Sequence, residues 1–422
     1  MKLFQKFKNI TGVGKRVWFQ AKDPCRHNVA IIFIKGQTNT YRMTHTTRKA
    51  LQLPEKISKA LEAMLVEGHA TGKFFENKEI VKGYDFDKGL DYREIFKSFM
   101  NNGFQSTLFA KAVNEVNAMI AKRKLPLTDV SPNKDEEVEP RKNLTIFLGY
   151  TSNMTSCGVR DVIRFLAKHH LVDCLVTTGG GIEEDFVKCH GPTFVDEFNY
   201  NGSEARKAGL NRIGNLIAPN DGYRKFDDWF MTVLDRMLAE QTENNVNWTP
   251  SKMIRLMGEM IDNEESIYYW AFKNNIPVLC PAITDGEIGD IIYSYSYKNP
   301  GLRIDIAEDT RKINDLSVYS KNTGMLILGG GLPKHHICNA NLMRSGADHS
   351  VFINTGMAFD GSDAGASPNE AVSWGKIKAS AKPVKVVGEA SILFPLLVAE
   401  TFARDFYGEN DEVSNGSAAL TK

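Results

Sequence analysis

Residues 144–185 decide the fold of this chain and read LTIFLGYTSNMTSCGVRDVIRFLAKHHLVDCLVTTGGGIEED. The apolar run Leu144–Leu148 is typical of a buried strand, and the apolar residues between positions 159 and 166 repeat at helical spacing. Cys174–Val176 is a second apolar run, and it leads through three glycines into the acidic helix start Glu183–Asp185. A strand, a helix and another strand in this order are typical of a parallel sheet covered by helices.

The same alternation continues toward the C-terminus. Four more short apolar runs, mostly separated by helical patterns, are Pro277–Cys280, Met325–Leu328, Val351–Ile353 and Val384–Val387. Thr249 and Pro250 supply a helix N-cap and a first-turn proline. We therefore predict an α/β fold built around a largely parallel sheet, with no internal repeat.

Composition excludes several classes of protein. Of the 422 residues, 42% are hydrophobic, 24% charged and 10% aromatic, which are globular values and exclude a fully disordered or fibrous chain. The best candidate for a membrane span, near Ile392–Ala399, is far shorter than the roughly 18 residues that a transmembrane helix needs. The six cysteines form no C-x-x-C pair, which favours reduced thiols in a cytoplasmic protein over disulfides or zinc.

Charge is distributed unevenly along the chain. Residues 1–50 hold eleven Lys and Arg and one acid, whereas the remaining 372 residues hold 41 basic and 50 acidic residues. The acidic body argues against nucleic acid as the main partner and suits a cationic ligand, although ordinary solubility explains it equally well. For the basic leader, composition leaves open a mitochondrial transit segment, a flexible tail, or an extension upstream of a working start at Met43.

The chain outside the sheet pattern divides into four further segments. We predict a flexible basic extension over 1–50, and a helical segment over 51–80 whose apolar face carries Ile57, Leu61, Met64 and Leu65 and which ends near Gly68. The charged stretch 128–142, with two prolines and no periodicity, is predicted to be a disordered surface loop within the main body 81–405. Residues 406–422 are expected to form a flexible tail.

Two strands run into glycine clusters, at Val176–Gly181 and Leu326–Gly331. Turns of this kind at the carboxyl ends of parallel strands expose backbone N–H groups, which bind dinucleotide phosphates. Neither cluster has the G-x-G-x-x-G spacing of the ordinary dinucleotide fingerprint. Tight turns without any ligand are therefore an equally good interpretation of each cluster taken alone.

Carboxylates crowd around an aromatic residue near the C-terminus. Asp360, Asp363, Glu370 and Trp374 fall within fifteen residues, and Asp285 and Asp290 are expected in another loop after a strand. A flexible polyamine needs such a set, because carboxylates pair with its ammonium groups and the ring packs against its alkyl chain. The alternative interpretation is a solvated acidic loop.

Lys376 follows that cluster in the sequence Ser373-Trp-Gly-Lys376. A lysine beside a bulky aromatic residue can be partly desolvated, which frees its amine for imine chemistry, although most lysines are surface charges. The neighbouring pair His335-His336 cannot both ligate a metal from one helix face, so we predict no metal site and a hydrogen-bonding role for histidine.

Taken together, these segments resemble deoxyhypusine synthase over about Val81–Phe402. The resemblance is carried by the motifs Val81–Tyr92, Gly149–Asn153, Thr178–Asp185, Ile213–Leu216, Pro281–Gly286, Gly329–Asn341, Phe359–Asp363 and Glu370–Lys376. It implies a single large nucleotide-binding domain with a Rossmann-like, mostly parallel sheet.

The resemblance also implies a reaction. Members of that family transfer the 4-aminobutyl group of spermidine to one lysine of the translation initiation factor five-A precursor. NAD takes a hydride from spermidine and returns it at the end, and the four-carbon unit is held meanwhile as an imine on an enzyme lysine.

Site residues follow by matching motifs. Lys376 is expected to form the imine, and His335 to exchange a proton with the central amine of spermidine. The implied spermidine residues are Glu183, Glu184, Asp290, His335, Gly361, Ser362, Asp363, Glu370, Trp374 and Lys376. The implied NAD residues are Ser152, Asn153, Met154, Thr155, Ser156, Thr178, Gly179, Gly180, Glu184, Asp285, Gly330, Thr355, Glu389 and Ala390.

The resemblance further implies a homotetramer whose sites lie between subunits, with an N-terminal helix covering the partner's site; the segment Ile57–Gly68 is the candidate for that plug. Three features depart from the family pattern: the basic leader, the long 128–142 stretch, and Glu389 in place of the usual aspartate. The extra methylene of Glu389 puts cofactor affinity in question rather than chemistry.

Other activities fit the same residues. Homospermidine synthase, with putrescine as the acceptor, has nearly the same active-site sequence. A non-catalytic paralogue that pairs with an active subunit is a third possibility, but it would be expected to lack the lysine, whereas Lys376, His335 and Trp374 are all present. A sirtuin-like deacylase is disfavoured because its four zinc ligands are missing.

Overall fold

Eleven strands occur in the part of the chain that the computed structural model describes, which comprises residues 29–34, 37–42, 56, 59, 75–76, 78–128 and 142–408. They are β1 Val29–Ile34, β2 Gln37–Arg42, β3 Thr145–Tyr150, β4 Cys174–Val176, β5 Phe194–Val195, β6 Leu210–Ile213, β7 Leu216–Pro219, β8 Val278–Leu279, β9 Thr323–Leu328, β10 His349–Asn354 and β11 Val384–Val387.

The central sheet has six strands in the order β11-β10-β9-β3-β4-β8, and every neighbouring pair is parallel. Counted along the chain, the spatial order is 3-2-1-4-5-6, which is the doubly wound dinucleotide-binding topology. The strand order reverses between β3 and β9, whose carboxyl ends lie side by side. The predicted α/β fold with a largely parallel sheet is confirmed, and the sheet is in fact wholly parallel.

Helices cover both faces of this sheet. β3 and β9 are buried over their whole length, which explains why their sequences are continuous apolar runs rather than alternating ones. The longer helices are Tyr92–Asn102, Phe104–Lys124, Val159–Lys168, Gly179–His190, Asn220–Asn244, Pro250–Ile261, Glu287–Lys298, Ala307–Tyr319, Gly331–Leu342 and Ala390–Val398. The shorter ones are Asn153–Ser156, Gly202–Lys207, Ile267–Lys273, Pro368–Ser373 and Arg404–Phe406, with a π-helical turn at Ala399–Ala403.

Two small sheets complete the strand inventory of the described residues. β5, β7 and β6 form an antiparallel sheet, and Gly214 makes the turn between β6 and β7 with a positive φ of 60°. β1 and β2 form an antiparallel hairpin inside the compact unit Met1–Glu79, while residues from Ile80 onward form a second compact unit. The sequence analysis predicts no strand in the basic extension, so it misses this hairpin.

Several predicted elements fall where the sequence places them. The predicted strands at Cys174–Val176 and Val384–Val387 match β4 and β11 residue for residue. Thr249 caps the helix Pro250–Ile261 by accepting a hydrogen bond from the backbone N–H of Lys252, with proline in the first turn. These agreements arise because burial and capping are local properties of the sequence.

Two expectations need correction. The glycines after β4 do not form a separate turn, because the helix Gly179–His190 begins at the first of them. Asp290 lies in the first turn of the helix Glu287–Lys298 rather than in a loop. In both cases a short segment that contains glycine is helical because of tertiary packing, which the local sequence pattern does not reveal.

Other predictions concern segments at the borders of the described chain. The predicted helix Ile57–Gly68 lies outside the described residues except for Lys59, which is helical, and so do residues 129–141 of the predicted loop. The predicted tail begins with Phe406 and Tyr407, whose rings lie 5.7 and 6.5 Å from that of Phe165. Residues 409–422 lie outside the described residues. No helix among the described residues combines the length and the apolar character that crossing a membrane requires.

A buried ion pair ties the helix after β4 to its neighbours. Nε of Arg160 lies 2.7 Å from a carboxylate oxygen of Asp185, and the two side chains are 7% and 0% exposed. The same carboxylate accepts hydrogen bonds from the hydroxyl of Ser266 at 2.5 Å and from the backbone N–H of Ile267. One carboxylate therefore joins three helices, Val159–Lys168, Gly179–His190 and Ile267–Lys273.

We expect the substitution Asp185→Asn to destabilise the protein by about 3–5 kcal/mol, because it leaves the guanidinium of Arg160 buried without a counter-charge. Urea unfolding measures the difference. Glu94→Gln is the matched control, since it breaks an exposed pair with Lys97 and should change stability by no more than about 0.5 kcal/mol. A loss below about 1 kcal/mol for Asp185→Asn would show that the pair does not anchor these helices.

Candidate active site

Most of the predicted site residues lie at the carboxyl edge of the central sheet. Ser152 follows β3, Thr178 follows β4, Gly330 follows β9, Thr355 follows β10 and Glu389 follows β11. Since ligands of doubly wound sheets bind in the crevice outside this edge, where the strand order reverses, the topology itself favours a ligand site here.

A cleft of about 480 Å³ opens beside the helix Gly331–Leu342. Its walls combine basic, acidic and aromatic side chains from two stretches of the sequence, 334–342 and 363–376. The lining residues are Lys334, His335, Cys338, Asn339, Leu342, Asp363, Ala366, Ser367, Glu370, Ala371, Trp374 and Lys376. Five of the ten residues that the sequence analysis assigns to spermidine or catalysis line this cleft: His335, Asp363, Glu370, Trp374 and Lys376.

Lys376 is half-buried and faces His335. Its Nζ lies 3.4 Å from Nε2 of His335, and 5.7 Å from the centre of the Trp374 ring. Nδ1 of His335 lies 3.1 Å from the amide nitrogen of Asn339, one helical turn further along. Trp374 is 65% exposed within the chain, so it does not bury the lysine in the way that the sequence analysis expects.

Hydrogen bonds to Ala347 hold the backbone around Lys376. Its carbonyl accepts a hydrogen bond from the N–H of Ala347, and the N–H of Lys378 returns one to the carbonyl of Ala347. The side chain of Lys378 pairs with Asp348 at 2.6 Å, and Arg344 pairs with the other oxygen of the same carboxylate at 3.0 Å. Hydrogen bonds from Lys378 and the two neighbouring cations lower the pKa of Asp348 despite its burial. These hydrogen bonds and ion pairs fix the backbone position from which the side chain of Lys376 extends.

Two lysines hold the loop that carries Asp363. Nζ of Lys385 donates to the carbonyl oxygens of Gly356, Ala364 and Gly365 at 2.8–2.9 Å. Nζ of Lys334 donates to the backbone carbonyl of Asp363 and lies 3.8 Å from its carboxylate. These ammonium groups leave Asp363 directed into the cleft, whereas the carboxylate of Asp360 is used inside the loop, where it accepts from the N–H of Ser362.

Gly361 and Ser362 shape this loop without lining the cleft. Gly361 has a φ of 71°, a conformation that glycine adopts without strain. The hydroxyl of Ser362 accepts a hydrogen bond from the N–H of Gly365.

A second group of predicted residues surrounds the ends of β3 and β4. The hydroxyls of Ser152 and Thr178 lie 2.5 Å apart. A Cβ built at Gly179 would overlap the carbonyl oxygen of Asp285, and one at Gly180 would overlap the hydroxyl of Ser152. The close approach of these neighbours requires glycine at both positions, and it leaves the first turn of the helix Gly179–His190, with its N-terminal backbone N–H groups, without side chains.

The short helix Asn153–Ser156, which includes Met154 and Thr155, borders the same surface. Nζ of Lys188 donates to the carbonyl oxygens of Thr155 and Ser156 at its end, and burial lowers the pKa of Lys188. One oxygen of Glu184 accepts from the hydroxyl of Tyr223 at 2.5 Å, while the other is buried without a partner. Burial raises the pKa of Glu184. An orphaned carboxylate oxygen beside a side-chain-free helix start fits a ligand that carries both hydroxyl and phosphate groups.

Carboxylates crowd next to this group. Glu183 is buried and accepts a hydrogen bond from the N–H of Ile288, and its burial raises its pKa to about 7. Burial and the adjacent Asp227 raise the pKa of Glu287 to about 7 as well, with Asp290 adding to the effect. Each additional negative charge here makes ionisation of the others harder, so a cation would be stabilised at this position.

The remaining predicted residues follow β9, β10 and β11 at the carboxyl edge of the other half of the sheet. A Cβ at Gly330 would overlap Ala364, so the backbone after β9 packs directly on the Asp363 loop. Thr355 is exposed after β10. Glu389 caps the helix Ala390–Val398 by accepting from the N–H of Ile392, a role in which its added methylene is tolerated.

The predicted spermidine residues therefore form two groups in one chain. Glu183, Glu184 and Asp290 do not line the cleft of Lys376 but lie among the carboxylates beside the first half of the sheet. Sequence reasoning missed Lys334, Asn339, Tyr223, Glu287 and Lys385, because a lone residue of a common type gives no pattern until the fold supplies its partner. No group of three or more His, Cys, Asp and Glu among the described residues could hold a metal ion.

Comparison with known proteins identifies one family. A family model described as deoxyhypusine synthase matches residues 94–401. A probable deoxyhypusine synthase of Drosophila melanogaster is 53% identical over 82% of this chain and 94% of its own length. Deoxyhypusine synthase of Arabidopsis thaliana is 54% identical over 76% of this chain and 90% of its own. The crystal structure of a putative deoxyhypusine synthase from Entamoeba histolytica superposes with a TM-score of 0.55 at 34% identity, covering 76% of this chain and 97% of the other.

The raised pKa of Glu183 predicts a pH-dependent stability difference. Since its pKa of about 7 in the folded chain exceeds the ordinary 4.5, the folded state binds the extra proton. The stabilisation of the folded state by this proton is fully present below pH 4.5 and is lost as the pH rises through 7.

Glu183→Gln should abolish this pH-dependent loss of stability. The free energy of unfolding of the variant, relative to that of the unsubstituted protein, should therefore rise by up to about 3 kcal/mol between pH 5 and pH 8. Urea unfolding of both proteins at the two pH values gives the difference, in which the titrating groups that do not interact with Glu183 cancel. An equal difference at both pH values would contradict the assignment of a raised pKa to Glu183.

Proposed function

Because the chain belongs to the deoxyhypusine synthase family, and is therefore an enzyme of the aminobutyltransferase class, we propose that it transfers the aminobutyl group of spermidine to one lysine of the translation initiation factor five-A precursor. NAD is the proposed hydride carrier. The observation that carries the proposal is the cleft in which the amine of Lys376 faces His335 among Asp363, Glu370 and Trp374.

The residues at the sheet edge fit NAD. The side-chain-free start of the helix Gly179–His190 suits a pyrophosphate, and the unpartnered oxygen of Glu184 suits a ribose hydroxyl. We assign the same ligand to Asp285 and to the residues after the other strands, namely Ser152, Asn153, Met154, Thr155, Ser156, Thr178, Gly330, Thr355, Glu389 and Ala390. When bound, NAD would supply a hydride acceptor and later return the hydride.

Spermidine fits the acidic groups. A triamine with up to three positive charges needs several carboxylates, and Asp363 and Glu370 line the cleft while Glu183 and Asp290 stand in the second group. Trp374 offers an exposed ring face for an alkyl chain or an ammonium group.

Lys376 and His335 then carry out the covalent chemistry. The neutral amine of Lys376 attacks the imine carbon of oxidised spermidine, 1,3-diaminopropane departs, and the four-carbon unit stays bound to Lys376 as an imine. The target lysine replaces Lys376 on that unit before the hydride returns, so the overall reaction is redox-neutral. His335 lies close enough to Nζ to exchange protons during these steps.

The division of the site residues supports an assembly. In one chain the Lys376 cleft and the carboxylates around Glu183 are separate groups, so we propose that two copies combine them across an interface within a homotetramer. The cytoplasm is the proposed compartment, and neither nucleic acid nor membrane is a proposed partner.

The test is mass spectrometry of recombinant translation factor precursor after incubation with this protein, NAD and spermidine. We expect one aminobutyl group on one lysine, and no addition with Lys376→Ala. A parallel reaction with putrescine as the only acceptor separates the sister activity: homospermidine there, without modification of the protein, would replace the proposal. Absence of both products would overturn it in favour of a partner subunit without its own activity.

Two substitutions should separate the proposed sites. Glu370→Gln should raise KM for spermidine by about 10–100-fold, the worth of one charge-assisted hydrogen bond, with NAD affinity unchanged. Gly179→Ala should weaken NAD binding at least about tenfold, because its Cβ displaces backbone at the phosphate position. Calorimetry with NAD and steady-state kinetics measure the two effects.

Gly158→Ala is the matched control for the glycine substitution, because no heavy atom lies within 4 Å of its added Cβ. It should leave NAD affinity within about twofold, which corresponds to an energy change of only about 0.4 kcal/mol. Equal effects of Gly158→Ala and Gly179→Ala would contradict the proposed phosphate position.

A further inference from the structure

Three side chains form a line along the wall of the cleft. The amide nitrogen of Asn339 lies 3.1 Å from Nδ1 of His335, and Nε2 of the same ring lies 3.4 Å from Nζ of Lys376. Asn339 and His335 are four residues apart in the helix Gly331–Leu342, so they share a face and their contact is built into the helix. Asn339 is half-buried, and its side-chain amide contacts the ring of His335.

The amide restricts which ring nitrogen carries the proton. An amide NH2 can only donate, so Nδ1 of a neutral His335 accepts from Asn339 through its lone pair and the proton sits on Nε2. Nε2–H is then a donor that faces Nζ of Lys376. An ammonium group has no lone pair, so only the neutral amine of Lys376 can accept this hydrogen bond.

We propose that Asn339 is a positioning residue, which holds His335 with its proton on Nε2 and thereby favours the neutral, nucleophilic amine of Lys376. The inference rests on the proposed function in assigning the attack to Lys376. It goes beyond that function by assigning a role to a residue that has no part in holding the hydride carrier.

Other charges in the cleft act on the same amine. Asp363 and Glu370 favour the ammonium form, as does the face of Trp374, whereas the ammonium of Lys334 opposes it. His336 and the thiol of Cys338 are the other titratable groups beside His335, and burial lowers the pKa of His336 and raises that of Cys338. The tautomer of His335 therefore acts in the same direction as Lys334, against the two carboxylates.

Neutron diffraction from crystals of the deuterated protein tests the hydrogen positions directly. We expect a deuteron on Nε2 of His335, none on Nδ1, and two deuterons on Nζ of Lys376. A deuteron on Nδ1 that faces the amide oxygen of Asn339 would overturn the proposal.

Chemical trapping tests the consequence without NAD or spermidine. Butyraldehyde condenses with an amine to give an imine and water, and added cyanoborohydride reduces that imine to a stable secondary amine. Peptide mass spectrometry then gives the rate of modification at Lys376 alone as a function of pH. The neutral-amine fraction sets this rate.

Two substitutions at Asn339 make the expected order specific. Asn339→Asp keeps the shape but can only accept, so it draws the proton to Nδ1, turns Nε2 into an acceptor and favours the ammonium. We expect trapping at Lys376 to slow about tenfold at pH 7.5 and the midpoint of its pH profile to rise by about one unit. Asn339→Leu removes the preference for a proton on Nε2 without adding charge. Its rate of trapping at Lys376 should therefore lie between that of the unsubstituted protein and that of Asn339→Asp.

A purely structural role predicts the opposite order, because Asp matches Asn in shape and Leu does not. Slower trapping in Asn339→Leu than in Asn339→Asp would therefore overturn the proposal. An unchanged pH profile of trapping in Asn339→Asp would overturn it as well. Asn201→Asp is the control: it adds the same charge, still accepts from the N–H groups of Ser203 and Glu204 as a helix cap, and should trap at the unsubstituted rate.

The two proposals fail separately. If no aminobutyl transfer occurs, the deuteron positions and the trapping order still decide the role of Asn339. If Asn339→Asp traps normally while the protein modifies its target through Lys376, only the inference about Asn339 is lost.

Discussion

The site depends on how closely the backbone can approach itself at the carboxyl edge of the central sheet. At Gly179 and Gly330 a single added Cβ would overlap neighbouring backbone or side-chain atoms. The first contact joins the helix after β4 to the Asp285 turn, and the second joins the end of β9 to the loop of Asp363. The glycine-rich helix start after β4 and the loop that carries Asp363 are positioned by these two contacts, so the fold and these two parts of the site share one steric constraint.

Charge is the second constraint, and the chain uses its lysines in two ways. One group of lysines donates hydrogen bonds to backbone carbonyl oxygens: Lys334, Lys385 and Lys188. These bonds fix the segments from which carboxylates and hydroxyls project. Among the described residues, the hydrogen-bond contact of the Lys376 side chain is instead a histidine ring, since its Nζ faces Nε2 of His335. A structural lysine must keep its proton, whereas a nucleophile must lose it, and the surroundings of these side chains differ accordingly.

Much of the architecture could be predicted from the sequence, because apolar runs such as Cys174–Val176 and Val384–Val387 report burial directly. The cleft residues from Asp363 to Lys376 could be found because they are close in the chain. Contacts between distant segments could not: the partnership of Lys334 with Asp363, and that of Tyr223 with Glu184, exist only after folding. The β1–β2 hairpin was missed as well, since its segment was interpreted from charge alone.

The division of the predicted spermidine residues into two groups has the same origin. A motif match places Glu183 and His335 in one site, whereas a single chain separates them. Sequence motifs do not report which subunit supplies a residue, so the proposed pairing of two copies could not be derived from the motifs themselves.

The central claim is that Lys376 holds the four-carbon unit covalently. Incubating the protein with NAD and spermidine in the absence of any acceptor, adding borohydride and mapping peptides by mass spectrometry tests this most directly. We predict a reduced aminobutyl adduct on Lys376, dependent on NAD and absent from Lys376→Arg. An adduct on another lysine, or aminobutyl transfer to the target by the Lys376→Arg variant, would contradict the account.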